Sequence, residues 1–262
     1  MRRRRSNRRR RGSSGFLYKL LSVLAICGCL IAAMTLFFRV DTISVTGGVR
    51  YTEDQLRQAT GVEMGQNLYL LNKNQVAAAM VDALPYLREI RIRKKLPNTL
   101  AISVEECGTP VAVVQDGTAW LIASTAPTTP GKGKIVERLP AEELAGTAVV
   151  DGCTLLAPSV GTAPALATEQ TLQQTSLIAL LDALEERGDT DRVDAIHLGE
   201  DLTVDFDQRF AVKLRYGEDY ARKLKKLAQI LDSGVIQEGM TGTFDMRSDS
   251  GRDTFKPDSF GG

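Results

Sequence analysis

The segment Asp249-Ser250-Gly251 is the part of this sequence that most resembles catalytic machinery. It follows a short apolar stretch, as the catalytic loop of an aspartic peptidase does, and that chemistry uses two carboxylates that share one proton. The chain after Gly251 is too short to supply a flap over such a site. We therefore interpret the segment as a strand followed by a tight turn, and an aspartic peptidase is a remote alternative.

Other signals for catalysis are weak. The one histidine, His197, alternates with Ile196 and Leu198 at a strand end, without a partner nucleophile or ligand set, so we expect a structural role. The glycines at 61 and 65 lack the lysine and hydroxyl residue of a phosphate-binding loop. The sequence predicts no catalytic residue, metal, cofactor or small-molecule substrate.

The four cysteines leave one question open. Cys27 and Cys29 lie on roughly opposite sides of a helix, so they cannot chelate one metal. Cys107 and Cys153 either pair in an oxidising compartment or remain two separate buried thiols.

An arginine cluster precedes a long apolar run at the start of the chain. The arginines are Arg2, Arg3, Arg4, Arg5, Arg8, Arg9, Arg10 and Arg11. The run from Leu20 to Phe38 has 19 residues without a charge, and as a helix it crosses roughly 28 Å, the thickness of a bilayer's hydrocarbon core. Since cytoplasmic flanks carry the excess of Lys and Arg, we predict a single-pass type II anchor with the arginines inside the cell.

Three other interpretations apply to this end of the chain. A cleaved signal has a shorter apolar stretch with a small-x-small site behind it, and nothing after Ala33 resembles such a site. Arginine blocks also bind nucleic acid, but beside a membrane span the topogenic role accounts for them, so we expect no nucleic-acid partner. Contact with anionic lipid head groups is compatible with the anchor.

The charge of the chain divides at the same place. The first 40 residues contain ten basic groups and no acidic one, whereas the remaining 222 carry 23 basic and 32 acidic residues, a net charge of about −9. No second apolar run of 18 residues follows. The sequence therefore predicts a basic inner end and an acidic, soluble exported body, long enough for one large or two small domains.

Hydrophobic patterns predict the secondary structure of the exported part. Alternating residues at 43–45, 90–93 and 100–104 predict three strands, and capping signals at Thr52 and Asn72 predict two helices between the first and second of them. Further along, the patterns predict a hairpin at 111–122, a helix at 169–187, strands at 194–198, 202–206 and 210–215, a helix at 219–233 and a last strand at 242–247.

Several motifs on these elements resemble a known family. They are Phe38-Arg-Val40, Ile43-x-Val45-x-Gly47, Gly61-x-x-x-Gly65-x-Asn67-Leu68, Pro85-Tyr86-Leu87, Leu96-Pro-Asn-Thr-Leu100 and Glu106-x-x-x-Pro110-Val-Ala112. In this order, directly behind a single anchor, they resemble the POTRA domain of the FtsQ/DivIB bacterial cell-division proteins. Leu139-Pro140 and Gly146 resemble positions in the family's β domain, although residues 123–130 lack its usual Asp-x-x-Gly turn.

The resemblance implies an α+β fold class: one N-terminal transmembrane helix, then a POTRA domain (β-α-α-β-β) and a mixed α/β "β domain" that ends in an edge strand. The implied limits are a basic cytoplasmic tail at 1–15, the transmembrane helix at 16–38, the POTRA domain at 39–107, the β domain at 108–247 and a C-terminal tail at 248–262. We expect protease-resistant fragments to separate near residues 107–110.

The resemblance also implies a non-catalytic scaffold at the division septum that binds FtsB/DivIC-type and FtsL-type proteins. In the family, the C-terminal strand of the β domain supplies an edge to which a partner strand adds. The corresponding residues are Phe244, Asp245, Met246, Arg247, Ser248, Asp249, Ser250 and Gly251, with Phe255 just beyond. The alternatives are an ordinary solvent-facing edge guarded by Arg247 and Asp249 and, for the whole chain, a POTRA-type transport or secretion accessory module.

The arginine excess and the single span predict an exported C-terminal end. A reporter enzyme that is active only outside the cytoplasm, fused after Gly262, should be active, and the full-length chain should stay in the membrane fraction. Release of a shorter soluble form would contradict the uncleaved anchor.

Overall fold

The computed structural model describes residues 14–237, 239–248 and 253–258. The helices are α1 (Ser14–Phe37), α2 (Glu53–Ala59), α3 (Lys73–Ala83), α4 (Thr171–Arg187) and α5 (Tyr220–Asp232). The strands are β1 (Thr42–Thr46), β2 (Leu87–Lys95), β3 (Thr99–Glu106), β4 (Val111–Gln115), β5 (Thr118–Ser124), β6 (Gly133–Pro140), β7 (Val149–Asp151), β8 (Val193–Leu198), β9 (Leu202–Phe206), β10 (Phe210–Leu214), β11 (Gly242–Asp245) and β12 (Thr254–Pro257). The predicted α+β class with one N-terminal apolar helix is confirmed.

Helix α1 is long and apolar enough to cross a membrane over Gly15–Thr35. Its described side chains are almost all exposed rather than packed on the rest of the protein, and a helix that is apolar on all sides needs an apolar environment around it. Of the two predicted anchor limits, Leu20 lies inside the helix and Phe38 directly follows it. The eight arginines between positions 2 and 11 lie outside the described residues.

The smaller sheet has the strand order β1-β3-β2, in which β1 is parallel and β2 antiparallel to β3. Leu56 of α2 and Met80 of α3 are buried in one cluster with Ile43, Leu100 and Ile102 from the sheet. Burying a side chain of this size contributes about 1.5–3 kcal/mol relative to exposure. The β-α-α-β-β order agrees with the sequence pattern.

The two helix starts of this unit are built differently. Thr52 forms the predicted capping box, because its Oγ1 accepts from the Gln55 N–H at 3.3 Å and Gln55 Oε1 accepts from the Thr52 N–H at 2.9 Å. Asn72 instead caps α3 through the N–H of Asn74 at 3.0 Å. The second helix therefore begins where predicted, with an Asn cap in place of a reciprocal box.

The larger sheet has nine strands in the order β12-β11-β10-β9-β8-β7-β4-β5-β6. The pairs β10–β11, β4–β7 and β7–β8 are parallel, and the other pairs are antiparallel. Leu184 of α4 and Leu224 of α5 are buried in one cluster with Ile196, Val204 and Val212 of the central strands. The core therefore lies between these two helices and one face of the sheet.

Three strands of the larger sheet give little sequence signal. In β6, all four residues from 133 to 136 are buried, so the alternation that marks a half-exposed strand is absent. Strand β7 has only three residues. Strand β12 is four residues long and contains Pro257, which an edge strand tolerates but which weakens a strand prediction.

An apolar cluster joins the two sheets. Tyr86 and Cys107, from the end of the smaller unit, are buried with Leu121 and Val136 of the larger sheet. The Tyr86 hydroxyl donates to Glu137 at 2.5 Å. Burial and this hydrogen bond raise the pKa of Tyr86, so the phenol remains a donor.

Arg88 is the main polar link across the same interface. Its side chain is 16% exposed, and Nη1 donates to the Ala126 carbonyl at 2.5 Å and lies 3.4 Å from Glu185 Oε1. In the connection between the sheets, an ideal Cβ on Gly108 would lie 1.6 Å from Glu185 Oε2, so a larger residue does not fit without a shift. The predicted limit at 107/108 thus falls inside a packed interface, and the domain limits themselves stay a prediction.

The substitution Arg88→Ala tests how tightly the sheets are joined. It leaves the Glu185 carboxylate without this cation, so the free energy of unfolding should fall by about 1–3 kcal/mol, and limited proteolysis at residues 107–110 should become faster. Arg91→Ala on the same strand is the control, since that side chain is 58% exposed and should matter by less than about 0.5 kcal/mol. Unchanged cleavage in the Arg88 variant would show that other contacts hold the interface.

Candidate functional site: the C-terminal sheet edge

The edge strands of the larger sheet are β6 and β12. A loop covers part of β6, because the Ile135 N–H donates to the Thr162 carbonyl and the Ile135 carbonyl accepts from the Gly161 N–H, both at 2.8 Å. Within the described residues, β12 has no backbone partner on its outer side. Strand β12 is therefore the edge to which another strand can add.

The sequence prediction placed this edge one strand too early. Strand β11 pairs with β10 on one side and with β12 on the other, so Phe244 and Asp245 are not on an open edge. Of the other predicted partner-binding residues, Met246, Arg247 and Ser248 follow β11, and Phe255 lies in β12. Asp249, Ser250 and Gly251 lie outside the described residues. The error arises because the chain returns antiparallel along β11 in a strand too short to be recognised.

Strand β12 is seated on an aromatic cluster. The ring centroid of Phe255 lies 4.6 Å from that of Phe244 and 6.2 Å from that of Phe210, distances typical of favourable aromatic pairs. Gly242 provides the space, because an ideal Cβ there would lie 2.5 Å from the Lys256 carbonyl oxygen and 2.8 Å from the Phe255 ring. A side chain at position 242 would push β12 away from β11.

Lys223 of α5 holds both ends of the segment that joins β11 to β12. Its Nζ contacts the Met246 carbonyl, donates to the Ser248 carbonyl at 3.2 Å and lies 3.9 Å from Asp253 Oδ1. The Asp253 side chain is 4% exposed and also pairs with Lys226. Because α5 is packed into the core, these contacts tie the sheet edge to a rigid element.

Arg247, predicted to contact a partner, is engaged within the chain. Its Nε and Nη2 donate to the two carboxylate oxygens of Asp245 at 2.9 and 2.6 Å, and Nη1 contacts Asp201. The hydrogen bond from Arg247 is the main cause that lowers the pKa of Asp245 to about 2, and the two carboxylates raise the pKa of Arg247. A reversal to Glu would put three carboxylates together, so it would disturb the protein before it reported on a partner.

The alternation of hydrogen bonds shows which groups of β12 face outward. The Asp258 N–H donates to the Thr241 carbonyl at 3.0 Å, so alternate residues counted back from Asp258 face β11. Phe255 falls between them and directs its N–H and C=O away from the sheet, while Pro257 has no N–H to offer. The exposed edge is thus short and centred on Phe255.

His197 lies on the face of the larger sheet opposite α4 and α5, between carboxylates from two neighbouring strands. Its Nδ1 is 2.8 Å from Asp151 Oδ2 on β7, and its Nε2 is 3.1 Å from Asp205 Oδ2 on β9. The hydrogen bond with Asp205, followed by the one with Asp151, raises the pKa of His197 against the effect of partial burial. Among the described residues, no group of His, Cys, Asp and Glu has the arrangement of a metal site.

The cysteines and the Asp-Ser-Gly triplet, which the sequence offers as further reactive groups, lie in structural environments. Cys107 and Cys153 are separate thiols in the structure, and burial raises the pKa of both, that of Cys153 to about 11. The triplet of the peptidase alternative occurs a second time at 232–234, where Ser233 ends α5 and Gly234 has a φ of 74°. There the triplet terminates a helix.

Comparison with known proteins identifies the unit that contains the smaller sheet. The sequence model of the family described as "POTRA domain, FtsQ-type" matches residues 38–106. The chain is 31% identical over 70 residues to the cell division protein DivIB of Clostridium botulinum strain Hall, which is 27% of each chain. It is 25% identical over 204 residues to the cell division protein FtsQ of Geotalea daltonii, which covers 76% of this chain and 69% of that protein.

Residues 38–106 are therefore an FtsQ-type POTRA domain. The resemblance of the chain to the FtsQ/DivIB cell-division family, first seen in its motifs, is confirmed by these similarities. The match to the DivIB protein of Clostridium botulinum strain Hall spans about a quarter of that protein's length (27%).

The His197 cluster predicts a dependence of stability on pH. The folded state raises the pKa of His197, so the stabilisation is complete below the unfolded value of about 6.5 and is lost as the pH rises through the folded value. The side chains are 39–61% exposed, so the effect should not exceed about 1 kcal/mol. Between pH 6 and about 8.5, the Tm of the wild type should fall more than that of His197→Gln, and an equal fall in both would contradict this role.

Proposed function

We propose that this protein is a non-catalytic scaffold of the bacterial cell-division complex, anchored in the cell membrane at the septum, which binds FtsB/DivIC-type and FtsL-type proteins. The family similarity supports the division role. The observation that carries the binding mechanism is the open edge at β12, which Lys223 ties to α5. Unpaired backbone groups on a rigid support are what strand addition requires.

An added strand pairs first with the outward N–H and C=O of Phe255. Pro257 blocks pairing in one direction, so the ladder extends from Phe255 toward Asp253. The exposed Lys256 favours a partner segment with acidic side chains, since opposite charges at a rim guide and orient association. A short edge gives few backbone bonds, so side-chain contacts must supply part of the affinity.

In this proposal α1 is the anchor, and the N-terminal arginines stay in the cytoplasm. The POTRA domain and the larger sheet are then exported together, joined by the interface around Tyr86 and Arg88. The anchor keeps the exported part attached to the membrane, where partners with their own single spans also have their exported segments.

The alternative of a transport or secretion accessory module has less support. Such modules are built from repeated POTRA units, and repetition is the feature by which they are recognised. The described residues contain one β-α-α-β-β unit followed by a nine-stranded sheet of different topology. The similarity to FtsQ of Geotalea daltonii extends over 204 residues and so beyond that unit.

Two truncations of the full-length chain test the edge. A chain ending at Asp258 keeps β12, whereas a chain ending at Asp253 loses it but keeps the pair between Asp253 and Lys226. We expect the first to bind an FtsB/DivIC-type partner as the wild type does, and the second to bind at least about tenfold more weakly, a loss of about 1.4 kcal/mol. Undiminished binding by the shorter chain, with its thermal unfolding intact, would place recognition elsewhere.

A pair of substitutions then separates backbone pairing from side-chain contact. Phe255→Pro and Phe255→Ala both remove the ring, but only proline also removes the outward N–H. Proline should therefore weaken binding more at equal amounts of folded protein, as judged by circular dichroism. The same comparison at Ser250, a position outside the described residues, extends the test. Equal effects of proline and alanine would exclude strand addition.

A further inference from the structure

One loop of the POTRA domain touches the end of α1. Asn67 Nδ2 donates to the Met34 carbonyl at 3.3 Å, and the Leu68 N–H donates to the Phe38 carbonyl at 2.8 Å. Met34 belongs to the apolar segment Gly15–Thr35, which as a helix is about 31 Å long and so matches the hydrocarbon core. When α1 spans a bilayer, Asn67 therefore lies at the depth of the lipid head groups.

The same asparagine presents two apolar side chains beside the span. Its Oδ1 accepts from the N–H groups of Tyr69 and Leu70 at 2.9 and 3.1 Å. These two hydrogen bonds fix the turn that begins at Asn67. The Tyr69 side chain is 62% exposed and that of Leu70 is 76% exposed. Such exposure is unfavourable in water, whereas aromatic and apolar residues are enriched at membrane interfaces.

The turn between β2 and β3 lies at the same end of the domain. The Asn98 carbonyl accepts from the N–H of Asp41 at 2.9 Å, four residues after the end of α1. Lys94 Nζ donates to the Tyr69 carbonyl at 2.9 Å, so the turn and the loop are in contact. Leu96, at the tip of the turn, is 59% exposed.

Basic side chains accompany these apolar ones. Among the described residues, Lys73, Lys94 and Lys95 form no ion pair with a carboxylate. Partial burial, and after it the positive charge of Lys73, lowers the pKa of Lys94. Asp41 is the acidic residue beside the turn, and its carboxylate accepts from Asn98.

We propose that this end of the POTRA domain binds the anionic phosphate head groups of the membrane in which α1 is anchored. The binding surface, which we call the membrane-facing patch, consists of Tyr69, Leu70, Lys73, Lys94, Lys95 and Leu96. Its apolar side chains enter the interface and its lysines meet lipid phosphates. The inference rests on the proposed anchoring of α1, which brings the patch to a lipid surface by chain connectivity alone.

The consequence is a fixed orientation of the exported part. A single span leaves a domain free to tilt, whereas a second contact beside the span restricts that motion. The interface around Arg88 joins the POTRA domain to the larger sheet. The patch therefore sets how far the β12 edge stands from the membrane.

Fluorescence of the full-length chain in lipid vesicles tests the patch. Trp120 is the one tryptophan, so Tyr69→Trp in a Trp120→Phe background gives a single probe, and Val49→Trp gives the control. Val49 is 94% exposed and lies at the opposite end of the domain, where its N–H donates to Glu106 at 3.1 Å. Vesicles of brominated phosphatidylcholine with phosphatidylglycerol should quench the Tyr69→Trp variant and leave the Val49→Trp variant unchanged.

The charge requirement is tested with matched neutralisations. Lys73→Gln with Lys95→Gln should reduce the ratio of membrane-contacting to non-contacting protein, judged by quenching, by about fivefold per lysine removed. Arg222→Gln with Lys225→Gln, two exposed positions on α5, should leave quenching unchanged. Vesicles of brominated phosphatidylcholine alone should reduce quenching as the two lysine substitutions do. Equal quenching with and without phosphatidylglycerol would overturn the anionic-lipid assignment.

Flotation of the same vesicles distinguishes a failure of the anchor from a failure of the membrane-facing patch. A chain that floats with the lipid but whose Tyr69→Trp probe is not quenched overturns the patch and leaves the anchor standing. A chain that does not float overturns the anchor and with it the patch. Flotation together with quenching confined to the Tyr69→Trp variant supports both.

Discussion

Burial of one face of the nine-stranded sheet under α4 and α5 is the constraint on which the C-terminal site depends. Leu224 and Leu227 hold α5 against the central strands, and each such side chain is worth about 1.5–3 kcal/mol when buried. This packing places Lys223 beside the ends of the β11–β12 connection. A short edge strand, which would fray if it depended on its own hydrogen bonds, is thereby held in place.

The β12 edge offers unpaired backbone groups, and several of its features limit which segments can pair with them. Open strand edges invite unspecific pairing, and proteins limit that risk with short strands, prolines and charges. Strand β12 has four residues, includes Pro257 and presents Lys256, so only a segment that fits around Phe255 can use it. Next to it, Arg247 is already held by Asp245 and Asp201, which favours an organising role for this arginine over a direct contact with a partner.

Contacts run without interruption from the apolar helix to this edge. Asn67 joins the end of α1 to the POTRA domain, Tyr86 and Arg88 join that domain to the larger sheet, and the sheet continues through paired strands to β12. Since interfaces of packed side chains and buried ion pairs resist bending more than linkers do, the orientation of α1 is carried to the β12 edge. The scaffold proposed above, which would hold partners at a membrane, benefits from such continuity.

The sequence by itself determined the features that depend on residues close to one another along the chain. The apolar run of α1, the capping box at Thr52, the alternating strands β8 to β10 and the order β-α-α-β-β all follow from nearest neighbours along the chain. What only the tertiary structure decided depends on residues distant in sequence. The edge strand is β12 and not the predicted β11. A four-residue strand with a proline acquires its conformation from contacts with Phe244, Gly242 and Lys223 rather than from its own residues. Likewise, the partners of Arg247, Arg88 and Asn67 are set by packing, because side-chain pairs between separate elements have no periodicity along the sequence.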